Sequence, residues 1–323
     1  EITDEGTFLF SGEYGKDLFQ EIKNYALVAE TLARELDFDV IHAHDWMTFP
    51  AGMAAKAVSG KPLVVHLHST EFDRCPVHPN PAILALEKEG MLTADAVIAV
   101  SNLTRDILIG NYQIDSSRIT TVYNAVEKID YPKRILKSGK SASKTVTFMG
   151  RITMQKGPGF FIEAANLVLQ RFPEVKFVMG GKGDLRDLMI SRASELGISG
   201  RISFPGFIPD QEIPNFFRQS DVFVMPSVSE PFGIVALEAV QTGVPVILSK
   251  QSGVSEVIQH AQKVDYWDVE ALADAICLLL NDKILVRKNT GKARQEIGQL
   301  SWKRSAEKLA GIYKSLHKET ESL

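Results

Sequence analysis

The segment Pro226–Leu248, Pro-Ser-Val-Ser-Glu-Pro-Phe-Gly-Ile-Val-Ala-Leu-Glu-Ala-Val-Gln-Thr-Gly-Val-Pro-Val-Ile-Leu, decides how this chain is read. Pro226 and Pro231 hold its first part extended, and Gly233 permits a close backbone approach. Ile234 to Val240 have the composition of a short helix ended by Gly243, after which Val244 to Leu248 form a buried strand. The apolar run Val222 to Met225 precedes the loop, so the helix opens at the carboxyl end of a strand. Its unpaired N–H groups and positive dipole end make a seat for phosphate. Glu230 and Glu238 flank that seat. Carboxylates repel phosphate, so their place beside it is explained by hydroxyl groups. A diphosphate flanked by polyols, as in a nucleotide sugar, meets both demands.

Outward from this segment the same grammar recurs. Strands are expected at Thr145–Met149, Val175–Met179, Arg201–Phe204, Val222–Met225, Val244–Leu248 and about 261–264. Helices are expected near 158–171, 184–196, 211–219, 233–242 and 268–281. Short apolar runs alternating with helices denote a parallel α/β sheet, and six strands complete a doubly wound domain. Upstream, Phe19 to Leu36 keeps helical spacing. Strands at Asp39–Ala43, Leu63–Leu67, Ala96–Val100 and Ile119–Tyr123 then alternate with helices from about Thr48, Ala82 and Leu103. Tyr131 to Lys144, with Pro132, Gly139, serines and basic residues, reads as a linker. The expected organisation is a first Rossmann-like lobe over 1–137, a second over 138–301, and an amphipathic helix over 302–323 packing back on the first lobe. Two such lobes imply a ligand cleft between the carboxyl ends of their sheets. Gly180-Gly181-Lys182-Gly183 is too compressed for a dinucleotide fingerprint.

Charge-bearing loops follow the strands. Gly150-Arg151 closes the first strand of the second lobe and Lys156-Gly157 follows, which puts two cations in one loop where they can balance a diphosphate leaving group. A merely solvated loop is the alternative, and the helix seat at Gly233 on the same rim weighs against it. In the first lobe His42-Ala-His44-Asp45-Trp46 ends one strand and His66-Leu-His68-Ser69-Thr70-Glu71 the next. Period two puts each histidine pair on one face. His42 and His66 read as core residues, packed and hydrogen-bonded. His44, Asp45, Trp46 and His68 read as a carbohydrate edge, an aromatic face with short polar groups. A metal site built on the His-x-His pairs is the competing reading, and it lacks an evident ligand set.

Composition narrows the classes. At 323 residues with 45% hydrophobic content the chain suits two globular domains, and a net charge of −4 with interspersed signs offers no field for nucleic acid. No apolar run is long enough for a membrane span, while a peripheral membrane contact is left open. Cys75 and Cys277 form no disulfide framework, and the cytoplasm is the expected compartment.

Ser-Glu-Pro-Phe-Gly-Ile-Val-Ala-Leu-Glu-Ala, Gly-Arg-Ile-Thr-Met-Gln-Lys-Gly, His-Ala-His-Asp-Trp and Ser-Gly-Val-Ser-Glu together resemble the retaining GT-B glycosyltransferases of the glycogen synthase-like group, of glycosyltransferase family 4 type. The resemblance covers nearly the whole chain. It implies a two-lobed GT-B α/β fold and transfer of a hexosyl unit, glucosyl by preference, from a UDP- or ADP-sugar to a carbohydrate acceptor. It implies that Arg151 and Lys156 bind the diphosphate, that Glu238 holds the ribose, that Gly233, Ile234 and Val235 lie under the distal phosphate, and that Phe232 beside them binds substrate. Glu230 faces the donor sugar, His68 stands beside the transferred unit, and Asp45, Trp46 and His44 lie on the acceptor side. Asn124, in Val-Tyr-Asn-Ala-Val, resembles the asparagine near the hinge, although the family usually has glycine where this chain has Ala125. No metal and no other cofactor is expected. The family's opening strand and glycine-rich loop are not found, which leads to the expectation of a chain truncated at its N-terminus. A sister hydrolase or epimerase of the same fold, and a binding fragment without catalysis, are the rival readings.

Overall fold

The computed structural model describes residues 17–127 and 143–321. Apart from Ser143 and Lys144, the expected linker lies outside them. The chain divides into two compact units, Glu1–Val122 with Ser305–Leu323, and Tyr123–Arg304.

In the first unit, β1 (Ile41–His44), β2 (Leu63–Leu67), β3 (Ala96–Ala99) and β4 (Ile119–Thr121) form a parallel sheet in the order β1-β2-β3-β4. Around it run α1 (Leu18–Glu35), α2 (Asp45–Ser59), the single turn α3 (Glu71–Arg74), α4 (Pro81–Thr93) and α5 (Asn102–Gly110). β2 is buried along its whole length, as a parallel strand covered on both faces must be. Alternation sends Leu63, Val65 and Leu67 into one core with Phe49, Met91 and Leu108, and Val64 into another with Ile98 and Val122. The second core is closed by α12 (Trp302–Glu321), whose Leu309, Ile312, Tyr313 and Leu316 recur at the i, i+3, i+4, i+7 spacing of one helical face. The last helix of the chain thus covers the sheet face that carries Val64, and with it the paired-register histidines of β1 and β2.

In the second unit, β5 (Thr145–Met149), β6 (Lys176–Gly180), β7 (Ile202–Gly206), β8 (Val222–Met225), β9 (Val246–Ser249) and β10 (Gln262–Val264) lie in the order β10-β9-β8-β5-β6-β7, all parallel. This is the doubly wound order, whose direction reverses between β5 and β8. The helices are α6 (Pro158–Arg171), α7 (Arg186–Glu195), α8 (Ile213–Arg218), α9 (Ile234–Thr242), α10 (Val269–Asn281) and α11 (Lys283–Ile297). Phe148, Phe161 and Phe177 interlock in the core, each ring contributing roughly 1.5–3 kcal/mol by leaving water.

Some expectations shift. β1 starts at Ile41 rather than Asp39, and α2 starts at Asp45 rather than Thr48. The Thr48 hydroxyl donates to the His44 carbonyl at 2.7 Å and steadies the added first turn, and Pro50 inside the helix removes one internal bond. Helix α11 was not foreseen: its sequence is strongly charged, and only Ala293 and Ile297 of it are buried.

Candidate functional site

The loops after β5 and β8 meet at the point where the strand order of the second unit reverses, the place where open α/β sheets bind ligands. Main chain joins them. The Val228 amide donates to the Gln155 carbonyl at 2.9 Å, and Gly157, at φ 65°, lies so close to Pro226 that any side chain there would run into the Pro226 carbonyl. On its other side the β8 loop pairs with 251–254: the Glu230 amide donates to Gln251 at 3.0 Å, the Gly253 amide to Glu230 at 2.9 Å, and the Val254 amide to Phe232 at 2.7 Å. A loop held along both edges presents its side chains at fixed positions.

Lys156 Nζ donates to Glu230 Oε2 at 2.6 Å, and the Ser227 hydroxyl donates to the same oxygen at 3.2 Å. The two residues are 74 positions apart in sequence, so the two loops share one ion pair, the Lys156 side chain 20% exposed and that of Glu230 10%. Arg151 stands exposed at the start of the β5 loop. Gly233, at φ 106°, turns the chain into α9, and a side chain there would press on Met225 and Val254. Behind it Ile234 and Val235 open the helix, with N–H groups at the loop side. Phe232 differs from a ligand-facing residue: its ring is 3% exposed and tilts against Tyr123, so what it offers a ligand is main chain. Glu238 is half-buried one turn into α9. Burial first, and then the nearby Asp210, push its carboxyl up to about 7. Asn124 is half-buried beside the fully buried Ala125, so a small side chain replaces the family's glycine without exposure.

In the first unit His42, His44, His66 and His68 form a ladder of imidazoles, with ring centroids 4.3 Å apart within each strand pair and 5.2–5.5 Å between strands. His44 Nδ1 and His68 Nε2 share a hydrogen bond of 2.9 Å, and both rings are exposed. His42 Nδ1 bonds the Tyr313 hydroxyl of α12 at 2.5 Å. Burial, with the other histidines, lowers His42 to about 4 and His66 to about 2, and lowers His44 as well, so these rings are neutral at physiological pH. Asp45, at φ 58°, accepts from the amides of His68 at 2.7 Å and Ser69 at 3.4 Å and so ties the end of β1 to the end of β2.

Two expectations are corrected in this lobe. Trp46 is 5% exposed, with its ring tilted on Phe19, so it is a core residue between α1 and α2 and not an aromatic face at an edge. Its position three residues before the buried Phe49 puts both on the inward side of α2. His66 is packed as expected, but among the described residues neither of its ring nitrogens has a hydrogen-bond partner, and the same holds for His42 Nε2.

Residues outside the expected set also belong to the second-lobe constellation. Ser227 binds Glu230, Asp210 raises Glu238, and the Tyr123 hydroxyl donates to Glu256 at 2.9 Å. A serine three residues before a loop carboxylate is a usable sequence signal. Asp210 and the pairing of Tyr123 with Glu256 leave no local one.

Residues 132–297 match the family described as Glycosyl transferases group 1, and residues 14–128 that described as Glycosyltransferase Family 4. An uncharacterised glycosyltransferase of Methanocaldococcus jannaschii is 31% identical over 297 residues, 86% of this chain and 75% of that protein. A glycogen synthase of Mycobacterium tuberculosis is 26% identical over 283 residues, 85% of this chain and 68% of its own. Among solved structures, Anabaena HepE in complex with UDP and glucose superposes with a TM-score of 0.78 at 22% identity, over 94% of this chain and 84% of that one. Among the described residues no helix is long and apolar enough to cross a membrane.

Proposed function

We propose a donor, an acceptor class and a stereochemical course for this chain, which belongs to the group 1 glycosyltransferases and has their two-lobed GT-B fold. It moves a hexosyl unit, glucosyl by preference, from a UDP- or ADP-sugar to a carbohydrate acceptor, with retention at the anomeric carbon. One observation carries the reading: Lys156, Glu230, the N-terminus of α9 and Glu238 gather at the strand reversal of the second lobe.

In this reading the diphosphate lies on the α9 amides, with Arg151 and Lys156 offsetting the charge that grows as the bond from the anomeric carbon to the phosphate oxygen breaks. The acceptor hydroxyl attacks that carbon on the face the diphosphate leaves, and the departing phosphate oxygen takes the hydroxyl proton. Glu238 accepts from the ribose hydroxyls. Glu230 faces the donor sugar and holds Lys156 extended through their 2.6 Å bond. Asn124 lies near the hinge. His68 stands beside the transferred unit, and His44 and Asp45 lie on the acceptor side. Fixed cations do the work here, so donor binding needs no divalent metal. The reaction belongs in the cytoplasm. Support for glucosyl and UDP comes from the glycogen synthase among the relatives and from the ligands bound to HepE.

The purified chain is incubated with UDP-glucose or ADP-glucose, with and without glucan and simple sugars, and products are resolved by NMR. An α-linked product formed only with acceptor is the expected result. Free glucose without acceptor dependence would identify a hydrolase, and binding with no turnover on any acceptor a non-catalytic chain.

A further inference from the structure

The imidazole ladder of the first lobe has two buried members, His42 and His66, that the proposed transfer reaction does not use. Donor atoms of His42, His44 and His66 lie within 4.8 Å of one another. His42 Nε2 and both nitrogens of His66 are buried with no hydrogen-bond partner among the described residues, an arrangement that costs free energy for every group left unpaired. Meanwhile the Nδ1 atoms of His42 and His44 are already engaged, by the Tyr313 hydroxyl and by His68 Nε2. His42 and His44 are thus anchored through Nδ1, as histidines commonly are when the other nitrogen ligates a metal, and His66 has both nitrogens to offer.

We propose that His42, His44 and His66 form a binding site for a divalent transition ion of the zinc class, with Tyr313 and His68 as the groups that orient its ligands. Three neutral imidazoles suit zinc, cobalt, nickel or copper and do not suit magnesium or calcium, which take oxygen ligands. A four-coordinate ion with Zn–N bonds of about 2.0–2.1 Å draws its nitrogens to about 3.3–3.4 Å apart, so the rings close in from their present separation. That movement unstacks them, since the His42 and His66 planes now differ by only 6°. Parallel register supplies the frame: His44 lies opposite His66 on adjacent strands and His42 two residues back on the same face. The site is independent of the diphosphate seat, which is built wholly from residues of the other unit. Because Tyr313 belongs to α12, the ion would link β1, β2 and the final helix of the chain.

The test uses the full chain, stripped with a chelator and then titrated with Zn²⁺ alone by calorimetry, and with Co²⁺ for its visible spectrum. One saturable Zn²⁺ per chain, a raised melting temperature, and the strong visible bands of a tetrahedral Co²⁺ centre are expected. His44→Ala alters an exposed ring and leaves the core intact; it should abolish the cobalt bands. Tyr313→Phe keeps the packing of α12 and should weaken Zn²⁺ by about 10–100-fold, the usual effect of losing a ligand's supporting partner. His78→Ala, in an exposed residue away from the ladder, should bind as the parent does. Absence of saturable uptake by the folded parent, or equal affinity in His44→Ala, would overturn the proposal.

Discussion

Each lobe contains a carboxylate bonded to a cation and a hydroxyl, and the two constellations behave differently. In the first lobe Glu87 is fully buried; it accepts two bonds from the Glu71 amide, one from Arg74 at 2.6 Å and one from Tyr112. Arg74 also reaches Glu71 at 3.2 Å and the Ser69 carbonyl at 3.3 Å. In the second lobe Lys156 and Ser227 both donate to one oxygen of Glu230, and Lys156 keeps a fifth of its side chain in solvent. The first arrangement uses an arginine fork and saturates its acceptors, so it braces α3 against α4. The second uses a lysine, a point charge on a flexible stem that can be shared with a ligand. Residue type and completeness of bonding distinguish a brace from a site.

The largest effect that would break this contrast concerns Glu87→Gln. Removing one partner of a buried ion pair costs about 3–5 kcal/mol, and Arg74, 29% exposed, regains some water, so a loss of about 3 kcal/mol is expected in denaturant unfolding. Nucleotide affinity of the folded fraction should be unchanged. Lys156→Ala should do the reverse. In the role proposed for Lys156 at the diphosphate, turnover should fall by about 10²–10³ in steady-state kinetics with a smaller change in donor affinity. A large stability loss from Lys156→Ala would erase the distinction.

Glu238 sharpens it through pH. Its folded-state value of about 7 lies above the ordinary 4.5, so the folded chain holds a proton that the unfolded chain has released between those two values. This group's contribution to stability therefore declines as pH rises from 4.5 to about 7. Nucleotide binding runs the other way. If the ribose needs the carboxylate, affinity should increase about tenfold between about pH 6 and 8, measured by calorimetry against Glu238→Gln, which should lose that dependence. The smallest effect is expected from Tyr123→Phe. It removes one hydroxyl bond to Glu256, worth about 0.5–1.5 kcal/mol, which a thermal melt should register.

Much of this architecture could be read from the chain. β2, β5, β8 and α6 occupy the expected residues, because buried parallel strands and a proline-started helix leave continuous apolar runs and a defined first residue. The turn at Gly233 and the helix that opens behind it were legible too, since the glycine and the strand before it are local signals. What escaped was relational. Trp46 looks like a sugar platform until Phe19 of α1 is seen to cover it, and the spacing of α2 alone does not say which helix packs there. Lys156 and Glu230 carry no sequence mark of their pairing across 74 residues. The histidine alternation was visible, but the unsatisfied nitrogens of His66 appear only when its neighbours are placed. Helix α11 was missed because so little of it is buried that its apolar pattern is weak.

Gly157, Gly181 and Gly183 have one further meaning for anyone altering this protein. A side chain at Gly181 would strike the Gly150 carbonyl, one at Gly183 the Ile152 carbonyl, and one at Gly157 the Pro226 carbonyl. The spacing between the β5, β6 and β8 loops is thus a main-chain dimension, which no choice of side chain can widen or narrow. Mutant libraries aimed at a new donor gain nothing from randomising Gly157, Gly181 and Gly183 and lose most of their members to misfolding. The positions open to variation are those whose side chains project from this frame, such as Arg151 and Lys182, both exposed. Selectivity in this lobe can be rewritten around its backbone, while the backbone itself stays as a fixed gauge.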